Sequence, residues 1–163
     1  HKHSPYERFG DKPLQRHARY TRIEILAAVG EGDKALTPTW REGVKWAEHS
    51  KTDIMAFTLS KTPGRFSPTT MYRDYAINQN LIHWESQSQT SQASATGQRY
   101  INHEAQGSHI ALFARETSDD RAFWCLGKAR YVEHEGERPM AIKWRLEKSL
   151  PGDLYGAFVA AVA

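Results

Sequence analysis

The stretch LGKARYVEHEGERPMAIKWRLE, residues 126–147, decides the fold class, because it contains two β-strand patterns joined by a short polar turn. The predicted strands are residues 128–134 and 140–147, and the turn between them contains Gly136 and Pro139. From residue 142 onward the second strand alternates between apolar and charged side chains, which is typical of a strand that buries one face. Its predicted core-facing side chains are Met140, Ile142, Trp144 and Leu146. The stretch therefore predicts an antiparallel hairpin packed on one side.

Outside this hairpin, similar patterns predict further strands and a few helices. Strands are predicted at residues 44–48, 54–60, 81–87, 110–116 and 122–126. Helices are predicted at residues 21–29, at 67–75, at 98–106 and from residue 151 onward. Thr21 and Glu24 form a capping box at the start of the first helix, and Gly30 suits its end. The sum is an α+β fold with a mostly antiparallel sheet, either curved or a partial β-barrel, and three or four helices.

Length and composition predict one globular domain. The chain has 163 residues, of which 39% are hydrophobic, so it can form one core. We expect the domain at residues 17–163, with 1–16 as an irregular N-terminal segment or a remnant of cloning. The longest apolar runs, 110–114 and 157–163, are too short to span a bilayer, so no membrane partner is expected. The single cysteine, Cys125, excludes an internal disulfide and fits a reducing, cytoplasmic compartment.

Charge is distributed unevenly along the chain. Residues 1–73 carry a net charge of +5 and residues 74–163 carry −2, within a total of +3. The chain has 13 arginines and 9 lysines, and arginine suits bidentate contacts with phosphate and guanine. At so small a net charge, an ordinary solvated surface is the better explanation. Charge alone therefore does not favour a nucleic-acid-binding protein over any other globular domain.

Motifs of common enzymes do not occur in the sequence. It has no phosphate-binding loop of the G-x-x-x-x-G-K-[ST] type, no dinucleotide fingerprint and no H-E-x-x-H helix. Residues 133–135, Glu-His-Glu, could ligate a metal but fit the end of a strand at a solvated turn better. A metal-dependent nuclease built on Asp74, Glu85 or His103 remains an alternative. We otherwise expect no catalytic residue, no metal and no cofactor.

Residues 66–100 combine aromatic rings with short hydrogen-bonding side chains. A pocket for a planar heterocycle needs this mixture, because rings stack on its faces and polar groups bind its edge. The predicted pocket residues are Ser67, Thr69, Tyr72, Asp74, Tyr75, Trp84, Ser86 and Gln87. The alternative is that the rings belong to the core or its boundary. The polar run at residues 86–98, SQSQTSQASATGQ, is either a flexible linker or a loop that contacts a ligand.

Five stretches resemble a known bacterial domain family. They are HARYTRIEILAAVG (17–30), FSPTTMYRDYAI (66–77), LIHWESQSQTS (81–91), TGQRYINH (96–103) and the hairpin LGKARYVEHEGERPMAIKWRLE (126–147). The family is the C-terminal domain of unknown function that follows superfamily-2 helicase-type ATPases. It occurs in type IV, modification-dependent restriction enzymes of the SauUSI type, which act in phage defence. There it is the target recognition domain beside a nuclease and an ATPase.

The resemblance implies that this chain reads DNA containing 5-methylcytosine or 5-hydroxymethylcytosine. The chain lacks nuclease and ATPase motifs, so those domains of a parent protein are the implied partners. We expect the modified cytosine to leave the duplex and stack in the pocket, with Asp74 accepting a hydrogen bond from its N4 amino group. Phosphate contacts are expected from Arg16, Arg19, Arg22, Arg65, Arg73 and Arg99. A major-groove reader that does not flip the base, and a protein-interaction domain that couples a motor to a nuclease, remain alternatives.

Overall fold

A computed structural model describes residues 6–9, 12–30, 43–59 and 74–162 of the chain. The described strands are β1 (Tyr6–Arg8), β2 (Pro13–Gln15), β3 (Arg19–Thr21), β4 (Val44–Ala47), β5 (Thr52–Thr58), β6 (Tyr75–Ala76), β7 (Leu81–Glu85), β8 (His109–Arg115), β9 (Ala122–Glu135) and β10 (Ala141–Leu146). The described helices are α1 (Arg22–Ala28), α2 (Ala95–Ile101) and α3 (Gly152–Val162). The α+β class is confirmed. None of these helices is long and apolar enough to cross a membrane.

Eight strands form one open, mixed sheet in the order β4-β5-β8-β9-β10-β7-β6, with β3 added beside the first part of β9. Every pairing is antiparallel except that of β5 with β8. In the described part of the chain the end strands β4 and β6 do not pair with each other, so the sheet is not closed into a barrel. The predicted mostly antiparallel sheet is confirmed, in an open form.

β9 is one long strand where the sequence predicts two. Its first part pairs with β3 and β8 and its second part with β10, so it belongs to both halves of the sheet. Gly127, with φ +89°, stands at the break between the two predicted strands. The register with β8 shifts beside it, as at a β-bulge. A glycine in an apolar run looks like a strand end in sequence, whereas here it bends a strand that continues.

The sheet separates two hydrophobic clusters. One cluster contains β-strand side chains such as Met55 and Leu112 and is covered by α2 and α3 through Tyr100 and Phe158. We call this side of the sheet the inner face. The other cluster lies under α1 and the β1–β2 hairpin and includes Phe113 from β8. Both sides of β5 and β8 are therefore buried, which explains their nearly continuous apolar sequences.

Local signals in the sequence account for most element boundaries. The capping box is confirmed, because Thr21 Oγ1 accepts from Glu24 N–H at 3.3 Å while Glu24 Oε1 accepts from Thr21 N–H at 2.8 Å. The alternating face of β10 is also confirmed, since Trp144 and its even-numbered neighbours are buried. The N-terminal segment is less irregular than predicted. Strands β1 and β2 form a small antiparallel sheet there, and Phe9 and Leu14 complete the cluster under α1.

The polar run at residues 86–98 is a packed connection in this structure. Ser94 caps α2 by accepting from Gly97 N–H at 3.0 Å. A Cβ atom at Gly97 would lie 2.0 Å from Ser91 O, so the backbone approaches too closely for any other residue. Thr90 and Ser91 are buried. Short polar side chains suit this segment because they bond to neighbouring backbone groups and occupy little space.

Candidate functional site

The aromatic end of the inner face is the candidate site, and it is built by β6, β7, β10 and the second part of β9. Trp84 on β7 pairs with Ile142 on β10, which pairs with His134 on β9. Asp74 immediately precedes β6 and lies beside Trp84, since its Oδ1 accepts from Glu85 N–H at 2.9 Å. One row of side chains therefore runs across four strands, with a carboxyl group at one end and an imidazole at the other.

Five aromatic rings pack around this row, mostly edge to face, while the planes of Trp84 and Trp144 are tilted by 51°. Trp84 contacts Tyr100 and Trp144 at centroid distances of 5.7 and 6.2 Å. Tyr131 and His103 also contact Trp144, at 6.3 and 6.2 Å. Edge-to-face pairs stabilise a core beyond the area that they bury. Trp84 is only 3% exposed. Its ring is therefore part of the core packing, the alternative that the sequence left open.

The Trp144 side chain is fully buried in the centre of this aromatic cluster. Its Nε1–H has no hydrogen-bond acceptor among the described residues. A buried donor without an acceptor costs on the order of 1–3 kcal/mol. Because other rings enclose Trp144, this donor lies inside the core and not on a surface that a ligand can reach.

Asp74 is the predicted pocket residue with the most unusual electrostatics. It is a buried carboxyl group at the edge of the sheet. Its pKa is raised to about 7, chiefly by burial; the hydrogen bond from the Glu85 N–H lowers this pKa, and the charge of Glu85 raises it. A carboxyl group that titrates near neutral pH in a buried position is an indicator of function, although structural carboxyls show such shifts as well.

The other described pocket residues are separated by the sheet. Tyr75 faces the opposite side, where its ring stacks on His83 at 4.8 Å. Ser86 is buried on the inner face, and its Oγ accepts from Met140 N–H at 2.8 Å, so it joins β7 to the start of β10. Gln87 is exposed. The structure thus brings Asp74, Trp84 and Ser86 to one face. Ser67, Thr69 and Tyr72 lie outside the described residues, as do Arg65 and Arg73 and most of the predicted helix at 67–75.

Two predicted phosphate-binding arginines form buried ion pairs. Arg99 makes a bidentate contact with Asp53, with both N–O distances at 2.7 Å, and its guanidinium lies 4.4 Å from the Trp46 ring. Arg16 pairs with Glu7 at 2.9 Å, and only 9% of its side chain is exposed. Both groups hold elements of the fold together, which leaves little of either charge for phosphate.

The other two described arginines lie near the start of β9. Arg19 is 41% exposed, lies 3.4 Å from Asp120 and covers the Trp124 ring at 5.3 Å. The Arg22 guanidinium lies 5.1 Å from the centroid of Phe123. Arg115, which the sequence did not single out, approaches the same ring at 4.6 Å. Its position after an apolar strand gives no signal of function in the sequence.

Several potential metal ligands in the described residues have bonding partners within the fold. His103 uses both ring nitrogens, because Nδ1 lies 3.4 Å from Ser108 O and Nε2 accepts from Tyr131 N–H at 3.2 Å. Burial lowers the pKa of His103, so the neutral ring is favoured. Glu133 pairs with Lys143 at 2.9 Å, and His134 bonds to Tyr131 Oη at 2.8 Å. No group of three potential metal ligands exists in residues 6–9, 12–30, 43–59 and 74–162.

Two features of the site have only weak signals in the sequence. Tyr131 and His134 are partly exposed rings of the inner face. Both side chains lie on this face because the register between β9 and β10 shifts at a β-bulge between Lys143 and Trp144.

A separate cavity of about 250 Å³ opens between β8, β9 and the segment after α2. Its charged lining is Glu104, Lys128, Arg130 and Glu147. Because those charges balance, the cavity does not favour a charged ligand of either sign.

Comparison with known protein families gives one match. The family model described as Domain of unknown function (DUF3427) matches residues 14–158. The chain belongs to the DUF3427 family. The match covers nearly all of the described domain, from β2 to α3. A search of curated proteins finds no match. The family description states no activity, so the function of this DUF3427 domain has to be argued from its residues.

Proposed function

We propose that this domain reads modified cytosine, 5-methylcytosine or 5-hydroxymethylcytosine, in duplex DNA, and that the base is flipped onto the inner face of the sheet. In this proposal the domain is not itself an enzyme. It serves as the target recognition module of a type IV restriction enzyme of the SauUSI type, whose ATPase and nuclease are its partners. The resemblance of the five sequence stretches suggests this role, and membership of the DUF3427 family is consistent with it.

One observation carries the proposal, namely the buried Asp74 carboxyl beside an aromatic face. A carboxyl oxygen accepts a hydrogen bond from the cytosine N4 amino group, a contact that identifies cytosine among the bases. Either protonation state can accept this bond, so the elevated pKa does not prevent it. Aromatic rings together with a group that forms a hydrogen bond to the base edge are what a flipped base requires.

The width of the sheet limits where the base can bind. Asp74 and His134 stand at opposite ends of the row, three strand spacings or about 14 Å apart. A single pyrimidine cannot reach both ends. We place the base at the Asp74 end. Binding on the exposed rings of Tyr131 and His134 would be a different position on the same face.

Fluorescence anisotropy tests the proposal with matched duplexes that carry cytosine, 5-methylcytosine or 5-hydroxymethylcytosine. One buried methyl group contributes about 0.8 kcal/mol, so the wild type should prefer 5-methylcytosine roughly fourfold. Asp74→Asn should weaken binding to modified DNA and reduce that preference, because an amide can present its N–H groups to the N4 amino group. Asn can still accept from Glu85 N–H, so the fold should survive.

Tyr131→Ala and Tyr131→Phe provide the matched comparison with Asp74→Asn, because they test the other position on the inner face, at the exposed rings of Tyr131 and His134. If the preference is abolished by Tyr131→Ala and not by Asp74→Asn, the base lies at the β9 end of the face and our placement is wrong. If the wild type binds all duplexes equally, the reader function is wrong, whatever the variants do. Absence of DNA binding even at low salt would favour a protein-interaction domain, and magnesium-dependent cutting of DNA by this chain alone would favour the nuclease.

A further inference from the structure

In the described part of the chain, one half of the sheet is uncovered on its outward side. The cluster under α1 uses sheet side chains from β4, β5, β8 and the first part of β9. The outward side chains of β6, β7, β10 and the second part of β9 are all half-buried or exposed. We call this surface the outer face. One solvated face is common in antiparallel sheets, so exposure alone does not indicate a partner.

The charges on the outer face are separated along β10. At the start of this strand, Ala141 is paired with Glu85 on β7 and with Glu135 on β9. Four residues later, Arg145 is paired with Arg130 on β9. Residues that are directly paired point to the same side of a sheet. The outer face therefore has an acidic end and a basic end, about 13 Å apart.

The acidic end has the shape of a notch. Ala141 is a small residue between Glu85 and Glu135, whose strands lie two spacings or about 10 Å apart. Neither of these two carboxylates forms an ion pair with a described residue. Glu135 interacts with Lys143 only at longer range, since Lys143 forms its ion pair with Glu133 at 2.9 Å. A cationic side chain that enters the notch can therefore contact both carboxylates.

The basic end presents a side chain that fits this notch. The Arg145 side chain is exposed and forms no ion pair or hydrogen bond with any described residue. Its neighbour Arg130 is already near two carboxylates, at 3.6 and 3.7 Å. A guanidinium group has five donors in a planar fork, which suits contact with two carboxylates. The outer face thus carries an arginine and, four residues away on the same strand, an acidic notch.

We propose that the outer face binds a second copy of this chain. The two faces would be related by a two-fold axis that lies between them and crosses the strands at the level of Lys143. Arg145 of each copy then lies over Ala141 of the other, between Glu85 and Glu135. The contact occurs twice, because a two-fold interface is self-complementary. A different basic partner would use only the notch, whereas a second copy uses both ends of the face.

The centre of the outer face contains an aromatic pair. Tyr75 stacks on His83 at 4.8 Å, and Lys143 follows on β10 in the same row. Protein interfaces combine aromatic residues near the centre with polar residues at the rim. The face is only three strand spacings wide, about 14 Å, so the interface is small. We therefore expect a reversible dimer with a Kd between about 1 µM and 1 mM.

Sedimentation velocity of the whole chain over a range of concentrations tests the proposal. The wild type should dimerise, and raising the salt from about 0.1 M to about 1 M should weaken the dimer, because the screening length falls from roughly 10 to 3 Å. Arg145→Glu places an acid in the notch, so it should weaken the dimer at least about tenfold. Glu135→Arg should weaken it for the same reason.

The combination of Arg145→Glu with Glu135→Arg is the decisive variant. It places opposite charges across the interface again, so its dimer should be at least about tenfold tighter than that of Arg145→Glu alone. Arg121→Glu is the control, since Arg121 is an exposed arginine directly before β9 and outside the outer face. This variant has the same net charge as Arg145→Glu and should dimerise like the wild type. A thermal melt establishes that each variant is folded.

Three outcomes would overturn the proposal. They are a wild type that stays monomeric at about 1 mM, a dimer that neither single variant weakens, and a combined variant that recovers no affinity. The inference does not depend on the reader function, because the candidate site lies on the opposite side of the sheet. The preference for 5-methylcytosine should be the same in all these variants, so its presence or absence tests the reader function alone.

Discussion

Two groups of arginines in this domain stack on aromatic rings, and they differ in how their charges are paired. Arg99 covers Trp46 and makes a bidentate contact of 2.7 Å with the fully buried Asp53 carboxylate. At the other end of the sheet Arg19 covers Trp124, while Arg22 and Arg115 cover Phe123. There the ion pair of Arg19 with Asp120 is longer, at 3.4 Å, and exposed. Stacking on a ring alone therefore does not tell how much an arginine contributes to the stability of the fold, whereas the length and burial of its ion pair do.

The largest loss of stability should follow from breaking the Asp53–Arg99 ion pair. Arg99→Ala leaves a carboxylate that is fully buried, and loss of one partner of a buried pair costs about 3–5 kcal/mol. Asp53→Ala should cost less, because the Arg99 side chain is 24% exposed and can turn toward water. Urea denaturation of both single variants and of the double variant measures the loss of unfolding free energy in each and the coupling energy between the two side chains.

Arg130→Ala supplies the control for that series. Its contacts with Glu104 and Glu147 are 3.7 and 3.6 Å long and exposed, so its removal should cost at most about 1 kcal/mol. If Arg99→Ala cost no more stability than Arg130→Ala, the contrast between buried and exposed arginine ion pairs would be wrong.

Asp74 extends the comparison to a buried acid whose pKa is set mainly by burial. Its pKa is about 7 in the folded state and 3.8 when unfolded, so between these values the folded state binds more protons. Its contribution to stability is therefore complete below pH 3.8 and is lost as the pH rises toward 7. The full difference amounts to about 4 kcal/mol.

Asp74→Asn removes this titration, so the stability of the variant relative to wild type should increase between about pH 4 and pH 8. Taking the difference between the two proteins cancels the opposing effect of His103, whose lowered pKa favours folding at higher pH. Urea denaturation of both proteins at several pH values across this range measures the change in relative stability. Parallel curves for the two proteins would mean that the Asp74 carboxyl is ionised at low pH and better solvated than its burial indicates.

Much of the fold could be predicted because its signals are local. The capping box of α1, the alternation of β10 and the polar turn before it each depend on a few neighbouring residues. The unbroken β9 could not be predicted in this way. Whether Gly127 ends a strand or bends it depends on β8 and β10, which pair with β9 on either side of the glycine.

The candidate site was less predictable than the fold because side-chain direction depends on register. Asp74, Trp84 and Ser86 share a face, while Tyr75 lies on the other with His83, as alternation along the strands requires. Tyr131 and His134 lie on the inner face only because a bulge shifts the register of β9. The partners of Arg16 and Arg99 could not be identified either, since Arg99 and Asp53 are 46 residues apart. Arginine composition therefore overstates the charge that a ligand can use.

The smallest effect, and the one that most sharpens the comparison of arginines, concerns Arg19. Arg19→Gln removes an exposed ion pair with Asp120, so at low salt the free energy of unfolding should fall by less than about 1 kcal/mol. Added salt screens this ion pair and should narrow the difference from the wild type. Arg99→Gln, by contrast, should be strongly destabilising at every salt concentration, because its partner stays buried. Thermal melts of the two variants at about 0.01 M and about 1 M salt, where the screening lengths are roughly 30 and 3 Å, distinguish the cases. A large loss of stability for Arg19→Gln would mean that an exposed contact of 3.4 Å stabilises the fold as much as the buried Arg99 pair does, and the comparison of the two groups of arginines would be wrong.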